Sequence, residues 1–221
     1  MVKRKGIGKI IIALGVTAIL VGGTLAWFAS SDTVINKFST GSVPGDLNSG
    51  VDIWEKFNEE SAKNIVPGTI VEKLVQAKNT ASYNSFIRVK IEKEFLGTNN
   101  ANLSTDMIKL DFGDNLTTEP SNGKWVDEKD GYYYYIDKIA PGKFTNALLK
   151  NVELSTEAGN AYKNATFNVK IIAESIQSSN NAHETGWSTS SEAVKAKLTE
   201  LGAESVVAGG NDASEPGAIE K

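Results

Sequence analysis

The chain has no cysteine and a single histidine, His183, among its 221 residues. Without cysteine it can form no disulfide, no thiol nucleophile and no cysteine-ligated metal site, so packing alone must hold an exported form together. One histidine cannot supply the pair that a zinc peptidase motif requires, and in its polar surroundings we expect His183 to be solvated. No glycine-rich phosphate loop follows a strand, and no Ser/His/Asp set is convincing. These absences predict a protein that is not an enzyme and has no metal and no cofactor.

Positive charge is also scarce, because 23 Lys and Arg stand against 27 Asp and Glu, a net charge of −4. Four of the basic residues, Lys3, Arg4, Lys5 and Lys9, lie at the N-terminus with no acidic residue among them. Loss of this segment would therefore remove four positive charges and bring the net charge from −4 to −8. Such an acidic surface argues against nucleic acid and anionic lipid as partners.

The most apolar run of the chain, residues 10–21, directly follows those basic residues. A basic segment, an apolar segment, and Thr24 and Ala26 at positions −3 and −1 are typical of a secretory signal peptide that is cleaved before Trp27. The alternative is a retained membrane anchor, since no charge occurs over residues 10–31. Glycines near the end of the run favour cleavage, so we expect a secreted protein that contacts the membrane only before processing.

Most of the remaining chain alternates apolar and polar residues with the period of a β-strand. The clearest strand runs from Ile87 to Phe95, with charged residues on its other face. Pro67-Gly68 and Pro141-Gly142 are type II turn signals, and Gly131 marks the tip of a hairpin. Further strands are predicted at residues 51–57, 69–78, 108–112, 124–127, 132–136, 148–154 and 166–174. The pattern predicts an all-β fold, an antiparallel two-sheet β-sandwich or jelly roll.

Four consecutive tyrosines, residues 132–135, stand on the second strand of the hairpin. They could form a platform on which sugars stack. An aromatic strand with alternate rings buried is the more favoured interpretation.

Towards the C-terminus the strand-like alternation gives way to a helical pattern. Thr189 and Glu192 have the spacing of a capping box, and the apolar positions that follow predict a short helix ended by Gly202. Residues 209–221 are small and acidic, which predicts disorder. The predicted organisation is a signal peptide over 1–26, a β domain over 27–187, and a helix with an acidic tail over 188–221.

Several stretches together resemble the TasA–camelysin family. Residues 22–28 and 38–41 are similar to the export signal and first strand of proteins processed by the signal peptidase SipW. The family resemblance continues in residues 65–68 (Ile-Val-Pro-Gly), 79–82 (Asn-Thr-Ala-Ser) and 86–91 (Phe-Ile-Arg-Val-Lys-Ile). Residues 139–142 (Ile-Ala-Pro-Gly), Leu148-Leu149 and 162–169 most resemble its BsaA-type branch of biofilm matrix proteins.

The resemblance implies a jelly-roll domain that is secreted to the cell surface and the extracellular matrix of a Gram-positive cell. It also implies two partners: a SipW-type signal peptidase during export, and other copies of the chain in a head-to-tail fibre. In such fibres the N-terminal segment of one subunit completes the sheet of the next. Camelysin-type members have also carried a metallopeptidase label, which no zinc motif of this sequence supports.

The residues of the N-terminal segment also indicate a strand that could pair with another chain. After cleavage, residues 27–43 would form a strand with apolar Phe28, Val34, Ile35 and Phe38 and no hairpin partner nearby in the sequence. We therefore expect this segment to be the polymerisation strand. The alternatives are an ordinary first strand of its own domain, or a monomeric surface protein that binds a carbohydrate or host ligand.

We predict that the secreted protein begins at Trp27, because Thr24 and Ala26 are the small residues that signal peptidase needs. Mass spectrometry of the N-terminal peptide tests this. Cleavage after Ala29 is the fallback, disfavoured by the bulky Trp27 at −3. A membrane-bound product that still carries Val2 would show that the segment is an anchor.

Overall fold

A computed structural model describes residues 29–37, 50–63, 65–96 and 102–211 of the chain. The strands in these ranges are β1 (Ala29–Lys37), β2 (Val51–Phe57), β3 (Ile70–Asn79), β4 (Ser85–Leu96), β5 (Ile108–Asp111), β6 (Leu116–Thr117), β7 (Trp125–Asp127), β8 (Tyr133–Tyr135), β9 (Leu149–Leu154) and β10 (Thr166–Gln177). Two helices follow, α1 (Ala182–Gly186) and α2 (Glu192–Gly202).

The strands form two sheets that face each other. One sheet has six strands in the order β1-β10-β4-β8-β7-β6, and the other has four in the order β2-β3-β9-β5. Neighbouring strands are antiparallel except for the short β6–β7 pair, which is parallel. The predicted all-β sandwich with a short C-terminal helix is therefore confirmed, as is the β7–β8 hairpin.

The main core lies between the sheets and follows from the alternation of the two longest strands. On β4, Ile87 and Val89 are buried in this core, and on β10 the same holds for Val169 and Ile171. Each fully buried aliphatic side chain of this size contributes about 1.5–3 kcal/mol relative to an exposed one. Because β4 and β10 pair over their whole length of 12 residues, they form the central ribbon of the larger sheet.

A second apolar cluster lies on the opposite face of the larger sheet, beneath the helices. Phe86, Tyr134 and Ile176 on the strands pack there with residues of the helical region: Trp187, Val194, Leu198 and Leu201. Helix α2 begins after Ser191, whose hydroxyl accepts a hydrogen bond from the Val194 N–H at 3.2 Å. The helix is therefore capped two residues later than Thr189, because Ser191 is the residue with extended backbone at the first turn.

Gly202 ends α2 as the sequence predicts, and its environment adds a packing reason. A Cβ atom at this position would lie 2.6 Å from the carbonyl oxygen of Ser178. Only glycine allows the end of α2 to approach the chain after β10 this closely.

Both Pro-Gly pairs form the turns that the sequence indicates. Gly68 has φ +83° and Gly142 has φ +77°, the conformation that the third position of a type II turn requires. The amide of Thr69 donates to the Val66 carbonyl at 2.9 Å, which closes the first turn.

One lysine lies inside the sandwich. The side chain of Lys73 on β3 is fully buried and its Nζ lies 2.9 Å from Oε1 of Glu55 on β2. The pairing register of β3 with β9 shifts between Glu72 and Val75, next to this residue. The buried ion pair therefore joins β2 to β3 beside this irregularity.

The predicted disorder is wrong for the start of the C-terminal tail. Gly209 forms a bridge with Ile139, and Asn211 forms one with Phe144. These backbone hydrogen bonds hold the segment after α2 against the sandwich, an arrangement that composition cannot indicate. Residues 212–221 lie outside the described residues.

We predict that Val194→Ala lowers the free energy of unfolding by about 2 kcal/mol, because it removes two methyl groups from the packed second cluster. Val207→Ala is the matched control, since Val194 is 0% exposed and Val207 is 87% exposed. Urea denaturation of both variants measures the difference. Equal stability of the two variants would show that α2 does not depend on this packing.

Candidate functional site

The N-terminal strand β1 lies at one edge of the six-stranded sheet, and among the strands that the structure describes β10 is its one neighbour there. The two strands are antiparallel and in continuous register, from Ala29 opposite Ile176 to Lys37 opposite Asn168. The partner strand is more than one hundred residues away in the sequence. A long-range ladder therefore joins β1 to the larger sheet, and β1 also contacts β2 of the smaller sheet.

The structure places two of the predicted polymerisation residues in this ladder. Val34 lies opposite Ile171, and Ile35 lies opposite Lys170. In the single chain, β1 thus pairs with its own domain, the alternative that the sequence left open. The other expected site residues, Thr24, Ala26, Trp27, Phe28 and Phe38, lie outside the described residues.

Strand β10 needs the partner that β1 supplies. Its inward residues Phe167, Val169, Ile171 and Ala173 all belong to the main core, and its other side is paired with β4 along its whole length. If β1 leaves, nine register positions of β10 lose their neighbour, from Asn168 to Ile176. A long strand that is packed on one face and unpaired at one side is a template for another strand.

The outer face of β10 beside β1 carries polar residues that the sequence analysis did not single out. Asn168 is 2% exposed. Its Nδ2 donates to Oε1 of Glu94 on β4 at 2.8 Å, whereas its Oδ1 has no hydrogen-bond partner among the described residues. In the sequence, Asn168 is a polar residue between the apolar Phe167 and Val169. The ordinary alternation of a half-buried strand explains this pattern, so the sequence does not single out Asn168.

The next row on the same face is a network of ion pairs. Glu92 accepts from Lys90 at 2.7 Å and from Lys170 at 3.3 Å. The hydrogen bond from Lys90, with Lys170 adding to it, lowers the pKa of the Glu92 carboxyl. Glu92 is partly exposed, and Glu94 and Asp111 are exposed.

A cleft of about 710 Å³ opens at the end of the sandwich where β10 begins. Its apolar lining includes Ile65, Val66, Leu154 and Phe167, and Val66 is 63% exposed. The cleft therefore lies beyond the last described pair of the β1–β10 ladder, Lys37 with Asn168.

The expectation that His183 is solvated is wrong. The residue lies on α1 and is 0% exposed, because α2 covers it. Its Nε2 is 3.3 Å from the carbonyl oxygen of Lys195 and 3.1 Å from Oγ1 of Thr199, while Nδ1 has no partner within the described part of the chain. Burial lowers the pKa of His183, with the Lys195 carbonyl and Glu184 acting in the opposite direction.

The tyrosine strand is used for packing, but the buried rings are the adjacent Tyr134 and Tyr135 and not alternate ones, because both faces of the strand are covered. Tyr134 is 0% exposed and Tyr135 is 2% exposed. Tyr132 stacks on the guanidinium of Arg88 at 3.8 Å and its hydroxyl donates to Oε1 of Glu174 at 3.0 Å. These rings are held by the fold, so the structure offers no row of four rings to a sugar.

The described residues contain no group of three or more His, Asp or Glu side chains that could hold a metal ion. In the same residues, no helix is both long and apolar enough to cross a bilayer. Comparison of the chain with protein-family models, curated proteins and solved structures finds no match.

We predict that acid weakens the fold through His183. Below the ordinary histidine pKa of 6.5 the unfolded chain takes up a proton, whereas the folded chain does so only at lower pH. The free energy of unfolding should therefore fall as the pH drops from 6.5 through the lowered pKa, and the stabilisation should be present at higher pH.

The variant His183→Gln is the control, since it keeps an N–H donor for the Lys195 carbonyl and cannot titrate. Urea midpoints at about pH 8 and about pH 5 should drop more for the wild type than for this variant. An identical drop in both proteins would mean that the carboxylates alone cause the acid sensitivity.

Proposed function

We propose that the chain is a secreted structural subunit that polymerises into extracellular matrix fibres by exchange of β1 between copies. The observation that carries the proposal is the position of β1, an edge strand that pairs with β10, whose other side is fully paired with β4. The same β10 edge can accept β1 of its own chain or β1 of a neighbour, because the hydrogen bonds are identical in both cases.

Exchange of this kind gives each subunit one donor strand and one acceptor edge. The contact is heterologous, since the donor surface differs from the acceptor surface, and repetition without closure yields a filament. The sequence likeness to TasA–camelysin proteins supports this function, and the signal-like N-terminus supports export and processing by a SipW-type peptidase. Processing matters because it would free the N-terminal end of the donor strand from the membrane.

The cleft at the start of β10 provides a second contact for a donor strand. If a donor strand continued one position past the last described pair, Lys37 with Asn168, its next residue would fall opposite Phe167, which lines the cleft. In the fibre, Phe38 of the neighbouring subunit would therefore reach the mouth of an apolar cleft. Burial of a phenylalanine side chain would contribute about 1.5–3 kcal/mol to each subunit contact.

We predict that the processed protein forms filaments and that protein lacking residues 27–40 stays folded and monomeric. Electron microscopy and size-exclusion chromatography test the assembly, and circular dichroism tests the fold. The truncated protein should bind a synthetic peptide of residues 29–37, because its β10 edge is open, but should not bind a scrambled peptide of the same composition.

Phe38→Asp should weaken assembly without unfolding the domain, because it places a charge at the apolar contact between subunits. If the truncated protein instead unfolds, β1 is an integral part of its own core and the exchange proposal is wrong.

A further inference from the structure

The sequence contains one Asn-Gly pair, Asn122-Gly123. The two residues form the centre of a turn between β6 and β7, which the Lys124 N–H closes by donating to the Ser121 carbonyl at 3.1 Å. Gly123 has φ +69°, as the third position of a type II turn requires, and Asn122 is exposed. The turn thus places a carboxamide in solvent beside the main-chain nitrogen of a residue that has no side chain.

An asparagine in this position can react with its own backbone. The main-chain nitrogen of Gly123 attacks Cγ of Asn122 and the Cγ–Nδ2 bond breaks, so that Nδ2 leaves as ammonia with the proton that the Gly123 nitrogen gives up. Glycine hinders this attack least, because it has no Cβ. Water then opens the five-membered imide at either carbonyl carbon and returns a proton to the nitrogen. The products are aspartate and iso-aspartate, and water is the one further reactant.

The fold holds the attacking nitrogen away from this reaction. The Gly123 N–H donates to the main-chain carbonyl of Ile136 at 2.8 Å, and the Ile136 N–H donates to the carbonyl of Lys124 at 2.8 Å. Ile136 is 0% exposed and belongs to the second apolar cluster, so its backbone is fixed by packing. The Gly123 nitrogen must give up this hydrogen bond and its proton before it can attack Cγ of Asn122.

A second contact holds the carbonyl group of Gly123. It accepts a hydrogen bond from Nδ2 of Asn146 at 2.7 Å. The Asn146 side chain is itself held, because its Oδ1 accepts from Nδ2 of Asn211 at 2.8 Å. Its main chain is held as well, since the Asn146 carbonyl accepts from Nε1 of Trp125 at 3.0 Å. Asn146 therefore joins the turn to β7 and to the segment that follows α2.

We propose that Asn122 is a modification site that the folded protein protects. It converts to aspartate or iso-aspartate when the turn opens, and the contacts of Gly123 with Ile136 and Asn146 keep the turn closed. Iso-aspartate adds one atom to the main chain, so the modified turn no longer matches the spacing that Ile136 requires. The modification thus marks chains that have opened. It involves no contact of β1, so it does not rest on the proposed function.

Mass spectrometry of the full chain, incubated in mildly alkaline buffer with and without urea, tests the proposal. Each conversion raises the mass of the tryptic peptide of residues 110–124 by about 1 Da. Fragmentation separates Asn122 from Asn115, an internal reference in the same peptide that precedes a leucine. Conversion at Asn122 should be at least about tenfold faster in urea than in the folded protein. Asn122→Gln should remove the signal, because its longer side chain would have to close a six-membered ring.

Asn146→Ala should raise the rate in the folded protein about two- to tenfold, because it removes one hydrogen bond from Gly123. Val194→Ala is the matched control, since it weakens the second apolar cluster and leaves both contacts of Gly123 in place. Faster conversion in Asn146→Ala than in Val194→Ala would support protection by the named contacts. Equal rates in the two variants would overturn the role of Asn146. Equal rates in folded and urea-unfolded wild type would overturn the proposal, whether or not filaments form.

Discussion

The need to pair the backbone groups of β10 on each side is the constraint that shapes the larger sheet. This strand supplies Val169 and Ile171 to the core between the sheets, so its backbone lies where unpaired N–H and C=O groups are costly. Strand β4 meets that need on one side along the full length of β10. On the other side β1 does so among the described strands, and its position at the edge of the sheet makes it the element for which we propose exchange.

The two apolar clusters hold the larger sheet in place on both of its faces. The main core holds β4 and β10 against the smaller sheet, and the second cluster holds their opposite face beneath α1 and α2. Trp187 and Leu198 on the helical side pack over Phe86 and Tyr134. Both faces of the central ribbon are therefore covered at this end.

Much of the fold could be predicted from the sequence because strand periodicity and turn chemistry are local. The alternation of Ile87 with Arg88 indicated β4, and Pro67-Gly68 indicated a turn that the positive φ of Gly68 confirms. Helix α1 and strand β6 were missed because five and two residues are too short to show a period. The burial of His183 follows from the docking of α2, which no local pattern reveals.

The candidate site was predictable only in part, for the same reason. Apolar Val34 and Ile35 indicated a strand, but the sequence could not identify β10 as its partner or set the register. That register pairs residues more than one hundred positions apart in the chain, such as Val34 and Ile171. Long-range pairing is thus the information that the sequence lacked.

The most direct test of strand exchange uses the absence of cysteine from the chain. Thr33 and Ile172 lie directly opposite each other in the β1–β10 ladder, a Cα separation of about 4.5–5.5 Å that a disulfide can bridge. Thr33→Cys protein and Ile172→Cys protein are mixed before assembly and then oxidised, so that only a contact between chains can join the two. Exchange of β1 predicts disulfide-linked pairs of the two variants in the filaments. If the mixture yields no such pairs while the double variant closes a disulfide within one chain, β1 belongs to its own domain and the account is contradicted.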